Sequence, residues 1–309
     1  MLWIFGTSHN LPKLADVDQL PGQVLRVLGN NPSRMTLSGT NVYVIGSGSK
    51  RLMIDSSDGN RTFERRLLEV LKVHGVEEIS DLLVTHGHLD HIGGILQLKK
   101  RFPGIRVWKY LPDADKEGCR RLSLSNVESQ QLGIKALVEG QTFRVPGSEN
   151  QLTVVYTPGH CNDHVCFVMN NGEDLKASIL FSGDCILGFG SCVFDSLLDL
   201  MASLAKLKRC SAIRIYPGHG PVVEDASAKI TEYIKHRQQR EDEIVKALKL
   251  QGELSLSDIM NRIYEPLPFV LRYSARQAIE KHLQKLLIER RVRLIHRAGL
   301  FQSATYSLI

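Results

Sequence analysis

No apolar stretch in the 309 residues reaches the roughly 18 consecutive positions that a membrane-spanning helix needs, which excludes a helical integral membrane protein. Cysteine is sparse and unpatterned. The six residues (Cys119, Cys161, Cys166, Cys185, Cys192 and Cys210) include no C-x-x-C pair and no regular framework, and they read as reduced, packed thiols of an intracellular protein. Aromatic residues make up only 6%, so no interleaved platform for stacking single-stranded bases is visible. The opening Met1-Leu2-Trp3-Ile4-Phe5-Gly6 is too short for a secretory signal and lacks its basic flank. With Lys13 alone against Asp16 and Asp18, and no arginine before Arg26, the same end also makes a poor transit peptide. Excess charge is missing from most of the chain. Between Lys229 and Arg297 fifteen Lys/Arg face nine Asp/Glu, while the rest holds twenty-four of each, so the formal +6 belongs to the C-terminal part.

The chain does have a hydrophobic content of 43%, enough for a sizeable core, and a length suited to one large and one small domain. From about Gln23 to Pro221 short apolar strands alternate with helices. Val24–Leu28, Val42–Ile45 and Leu52–Ile54 read as an opening antiparallel group, followed by a helix over Arg61–His74 with Phe63, Leu67, Leu68 and Leu71 at helical spacing. Ile92–Phe102 reads as a helix stopped by Pro103-Gly104. Strands are expected near Ile105–Trp108, Leu152–Tyr156, Val165–Met169 and Ile179–Phe181, with a hairpin turn at Asn170-Asn171-Gly172 and a helix near Asp195–Leu207. The division falls at residues 1–224 and 225–309. The second part opens on a long helix, Ala226–Lys249, and continues through Leu254–Tyr264 and Ser274–Glu289. It ends in a hairpin-like tail around Ala298-Gly299, a winged-helix-like order. Its cations, among them Arg237 and Arg240, form either a solvated cap or a surface that captures a polyanion.

Thr85–His91 reads T-H-G-H-L-D-H and follows the strand-like Leu82-Leu83-Val84. On a strand-to-helix turn, three imidazoles and a carboxylate can converge. His86 and His88, two apart on extended backbone, point one way, while Asp90 and His91 face a second point. That suits two metal ions rather than one. Three more candidates stand at later strand ends: His160 in T-P-G-H, Asp184 in F-S-G-D and His219 in Y-P-G-H-G, each beside a glycine that lets the backbone turn.

This pattern resembles the zinc-binding signature of the metallo-β-lactamase superfamily. The resemblance implies an α/β fold, an αββα sandwich with the active rim at the strand ends. It implies two zinc ions, one held by His86, His88 and His160, the other by Asp90, His91 and His219, with Asp184 bridging. Two dications would lower the pKa of a shared water to roughly 7 from 15.7, giving hydroxide at neutral pH, and Asp90 would orient it and pass a proton to the leaving group. The reaction is then hydrolysis of an ester, thioester, amide or phosphodiester, and the metals do not choose among them.

Arg26–Gly29, Met35–Asn41, Ser182–Gly188 with Val193-Phe194, and the helix containing Tyr233, His236-Arg237 and Arg240-Glu241 narrow the match to the β-lactamase-like protein 2 group. Animal members of that group are described as mitochondrial endoribonucleases that cut single-stranded RNA. The resemblance therefore implies single-stranded RNA as partner and the mitochondrial matrix as compartment, with the cytoplasm as the alternative. A glyoxalase II-like or acyl-thioester hydrolase is the rival activity.

The chain departs from the group at two places. Asp55-Ser56-Ser57-Asp58 stands where Asp-Thr-Gly is usual, and Cys161-Asn162-Asp163-His164 where Thr-Asp-Asp-His is typical. His164 is a candidate catalytic residue, placed either behind the ligands or against the scissile phosphate. Asn41 is a rim contact or a turn residue. His9, His74, His236, His282 and His296 read as surface or packing residues.

Overall fold

Most of the apolar runs become strands buried on both faces, and their side-chain alternation splits neighbouring residues between two different cores. The computed structural model describes residues 11–112, 132–171, 174–264, 269–295 and 304–309. The expectations for His9, Cys119, Gly172 of the hairpin turn, His296 and Ala298-Gly299 lie outside the described residues.

The first sheet runs in sequence order through β1 (Val17–Leu20), β2 (Val24–Leu28), β3 (Asn41–Ile45), β4 (Lys50–Ile54), β5 (Glu78–Leu83), β6 (Arg106–Lys109) and β7 (Lys135–Ala136). Its first four strands are antiparallel and its last three pairings parallel. The second sheet contains β8 (Thr142–Arg144), β9 (Gln151–Tyr156), β10 (Val165–Asn171), β11 (Asp174–Gly183) and β12 (Arg214–Pro217), in the order β12-β11-β10-β9-β8. Asn171 pairs with Asp174 across the expected hairpin.

Helices α1 (Arg61–Val73), α2 (Leu89–Ile92) and α3 (Ile95–Arg101) cover the first sheet, and α4 (Leu197–Arg209) with α5 (Ala226–Gln251) covers the second. On β10, Val165, Phe167 and Met169 enter the core between the sheets, while Cys166 and Val168 pack under α4 and α5. This is the αββα sandwich.

The single helix expected over Ile92–Phe102 is two helices. It breaks at Gly93-Gly94, where the chain runs against the 56–58 loop. A Cβ on Gly93 would fall 2.4 Å from the Asp58 carbonyl, and one on Gly94 2.3 Å from Ser56 O. Helical periodicity alone does not record that neighbour.

The C-terminal part adds α6 (Leu256–Ile263), α7 (Phe269–Ile288) and a three-stranded sheet, β13 (Leu254–Ser255), β14 (Val292–Ile295) and β15 (Thr305–Leu308), in the order β13-β15-β14. Helix α5 belongs to both bodies. Ala226, Ile230 and Tyr233 pack into the sandwich core, whereas Ile244 and Leu248 pack with α6 and α7. Among the described residues no helix is long and apolar enough to cross a membrane.

Candidate metal centre

Seven side chains meet at the strand ends in two groups, His86, His88, His160 and Asp184 in one and Asp90, His91 and His219 in the other. His86 and His88 come from the turn after β5. Asp90 and His91 lie in α2, so one helical turn redirects them to the second group. In the first group His86 Nε2 and His160 Nε2 stand 2.9 and 3.0 Å from His88 Nδ1. In the second, Asp90 Oδ2 lies 3.2 Å from both His91 Nε2 and His219 Nε2. Asp184 faces both groups. Its Oδ2 is 3.7 Å from His160 Nε2 and 4.0 Å from His86 Nε2, and its Oδ1 is 3.5 Å from His91 Nε2 and 3.3 Å from His219 Nε2.

The outer ring nitrogens fix which inner nitrogens carry lone pairs. His91 Nδ1–H donates to Asp55 Oδ2 at 2.8 Å. Thr85 Oγ1 donates to the same carboxylate at 2.9 Å, so it accepts from His86 Nδ1–H at 3.0 Å. His160 Nδ1–H donates to Val193 O at 2.7 Å. The Nε2 atoms of His86 and His160 therefore face Asp184 as acceptors, whereas burial opposes charge on His91 but Asp90, Asp55 and Asp184 outweigh it and raise its pKa well above the usual histidine range. His91 Nε2 and Asp184 Oδ1 are buried without a hydrogen-bond partner among the described residues. Acceptors facing acceptors repel unless a cation lies between them, and imidazole with carboxylate is a donor set for a borderline divalent metal. The residues fit a metal centre.

A family model of the metallo-beta-lactamase superfamily matches residues 35–219. The chain belongs to this superfamily. The metallo-beta-lactamase relatives include the Beta-lactamase-like protein 2 homolog of Drosophila melanogaster, 37% identical and covering 90% of this chain and 92% of its own. The homolog of the same name from Caenorhabditis elegans is 36% identical over 90% of this chain and 88% of its own. An Aspergillus fumigatus protein named atrochrysone carboxyl ACP thioesterase is 37% identical over 78% of this chain and 70% of its own. Among solved structures, a beta-lactamase domain protein from Burkholderia ambifaria superposes with a TM-score of 0.73 at 17% identity, covering 99% of this chain and 97% of that one. Superfamily membership and the donor set together make this protein a metal-dependent hydrolase.

Other candidates find different places. His164 is fully buried. Its Nε2 accepts from the Asp184 backbone N–H at 3.1 Å and its Nδ1 meets Thr157 Oγ1 at 2.9 Å. With both nitrogens engaged, the ring holds the Asp184 backbone and does not reach a substrate. Asn41 is also buried, and its Nδ2 donates to Pro217 O and Gly220 O at 2.9 and 2.8 Å, clamping the turn that carries His219. The glycine of that turn is required for space: a Cβ on Gly218 would lie 2.5 Å from Asp184 Oδ1. Ser57, at the position where the family uses glycine, adopts φ +56° and is tied down by a hydrogen bond from its Oγ to Gly29 O. Arg237, expected among the phosphate-binding cations, is 4% exposed and cannot meet RNA. Arg240 pairs with Glu243 and lies over the Tyr264 ring.

Two features were not foreseen from sequence. Asp55 anchors His91 and Thr85, and a slot lined by the 34–37 segment and the 187–193 loop reaches His160 and Asp184. Arg34 at that slot is exposed and makes no hydrogen bond or ion pair among the described residues. Only the side-chain surroundings identify either feature.

Without metal, the charges of the site divide. Burial holds His86 well below the usual histidine range and His160 at about 4. Burial also opposes charge on His219, but Asp184 and Asp90 outweigh it and raise its pKa to about 9. A group raised from about 6.5 contributes stability in full below that value and loses it as pH rises through 9, on the order of 3 kcal/mol for a shift of this size. The thermal midpoint of chelator-treated protein is therefore expected to fall between pH 6.5 and 9.5. Metal replaces the proton, so the loaded protein lacks this decline. A flat midpoint for the stripped protein would remove the proton from His219.

Proposed function

We propose that this hydrolase holds two zinc ions and cuts single-stranded RNA internally. The observation that carries this reading is Arg34, an exposed cation without an ionic partner among the described residues, in the slot that ends at His160 and Asp184. A phosphodiester brings negative charge to the reacting centre itself. An acyl thioester does not, because the phosphate of its carrier arm lies far from the carbonyl.

Bound to the two groups, zinc supplies Lewis acidity that activates water near neutral pH and neutralises charge on the substrate's oxygens. The protein's own residues do the rest. Arg34 binds a phosphate at the slot and orients the backbone beside it. Asp184 keeps the two ligand groups at a set spacing. Asp90, its side chain 24% exposed against 12% for Asp184, is the carboxylate placed to take a proton from water and return it to the leaving oxygen.

The thioesterase reading has one specific support besides the fungal relative's name: Met35, Leu37, Phe189 and Val193 give the same slot apolar walls that an acyl group would fill.

Zinc-loaded protein incubated with an end-labelled, unstructured RNA is expected to produce internal cuts that Asp184→Asn does not. Arg34→Ala is expected to raise KM about tenfold with kcat little changed, and to reduce the salt dependence by about one phosphate contact. Intact RNA alongside turnover of an acyl thioester by the same zinc-bound sample would replace the nuclease reading with the thioesterase one.

A further inference from the structure

The buried guanidinium of Arg237 has no carboxylate partner among the described residues, and its Nε has no hydrogen-bond partner there. Burying a cation without a counter-ion is expensive, and stability alone does not explain it. What the guanidinium does is hold the 191–194 segment. Nη2 donates to Cys192 O at 3.1 Å and to Ser191 Oγ, and the guanidinium lies 4.5 Å from the centroid of the Phe194 ring.

One helical turn earlier on α5, Tyr233 holds the same loop. Its Oη accepts from Leu187 N–H at 3.0 Å and donates to Gly190 O at 3.2 Å. Residues four apart share a helix face, so α5 grips the loop at two points. Val193 lies between the residues that Arg237 fixes, and its carbonyl accepts from His160 Nδ1–H at 2.7 Å. The hydrogen bond behind a metal-binding imidazole sets its tautomer and direction, and losing such support commonly costs 10- to 100-fold in metal affinity or activity.

We propose that Arg237 is a positioning residue for the metal centre: through the Ser191–Phe194 segment it holds Val193 O where it orients His160, so that the helix leading into the C-terminal part sets metal affinity. The inference depends on metal binding and not on whether the substrate is RNA or a thioester.

The test is zinc affinity measured by chelator competition on the full chain, with the thermal midpoint of the metal-free protein recorded in parallel. Arg237→Met keeps the length that packs over Phe194 and removes the donors. The zinc at the group containing His160 is expected to bind roughly tenfold or more weakly, with kcat recovered when zinc is added in excess. Arg237→Lys, which keeps the charge but loses the planar guanidinium that lies over Phe194, is expected to fall between. In a His160→Ala background, Arg237→Met should have little further effect on zinc, because the ring it orients is gone. A purely structural role would lower the midpoint of folded Arg237→Met and leave zinc affinity within twofold of wild type. That result overturns the proposal, as does an Arg237→Met loss that persists undiminished without His160. Should Arg237→Met not fold, Arg237→Lys decides: wild-type affinity overturns the proposal and reduced affinity supports it. A wild-type protein that binds no zinc would refute the metal centre itself, a separate outcome.

Discussion

Asp184→Asn is expected to lower hydrolytic turnover roughly a thousandfold, equivalent to about 4 kcal/mol of transition-state stabilisation, and to reduce bound metal. Among the described residues Asp184 is the side chain whose two oxygens face different ligand groups, Oδ2 toward His86 and His160 and Oδ1 toward His91 and His219. Asparagine keeps the shape and the backbone N–H that His164 accepts. It replaces one anionic oxygen with an NH2 group, which has no lone pair to offer a metal and points protons at it instead. The loss should therefore appear in metal content and in rate before it appears in folding. Metal per chain, measured on the folded variant, is the direct readout. Unchanged metal together with full activity would show that Asp184 is not the bridge.

The second large effect is on stability. Lys109 and Asp163 are 2% and 5% exposed, and Lys109 Nζ lies 2.6 Å from Asp163 Oδ2. Burial alone would raise the Asp163 pKa, but Lys109 outweighs it and holds the carboxyl below the usual range. The pair ties β6 of the first sheet to the loop that carries His160 and His164. Lys109→Met leaves a buried carboxylate without its cation, and the expected loss is about 3–5 kcal/mol. Removing both charges, in Lys109→Met with Asp163→Asn, should recover most of it, because the cost comes from the orphaned charge rather than from the absence of the pair. Urea unfolding of wild type, both singles and the double variant gives the coupling directly. If Lys109→Met cost less than about 1 kcal/mol, the carboxylate would have to be reaching water or another partner.

Much of the structure was readable because it is locally encoded. The strands are short apolar runs, and α1 follows from apolar residues at helical spacing after Asn60, whose side chain caps Phe63 N–H. The candidate metal ligands lie at strand ends in motifs a few residues long, so spacing and residue type place His86, His88, Asp90 and His91 on one turn. Local patterns do not record contacts between distant segments. Helical spacing across Ile92–Phe102 was right in kind but missed the break at Gly93-Gly94, which comes from the 56–58 loop packed against it. A basic count in the C-terminal part could not distinguish a solvent-facing cation from Arg237, which is spent on Ser191 and Cys192.

By itself the sequence determined the alternation of the sandwich, the candidate metal-binding side chains and the family they belong to, because each is written in residues close together along the chain. Only the tertiary structure decided that His164 supports Asp184 instead of facing substrate, that Asp55 orients His91, that Lys109 neutralises Asp163 and that Arg237 stands behind His160. Those contacts join residues between 20 and 54 positions apart, or act through a third residue. Whether a polar side chain meets water, a metal or another side chain depends on which distant segment excludes the solvent around it, and packing alone sets that.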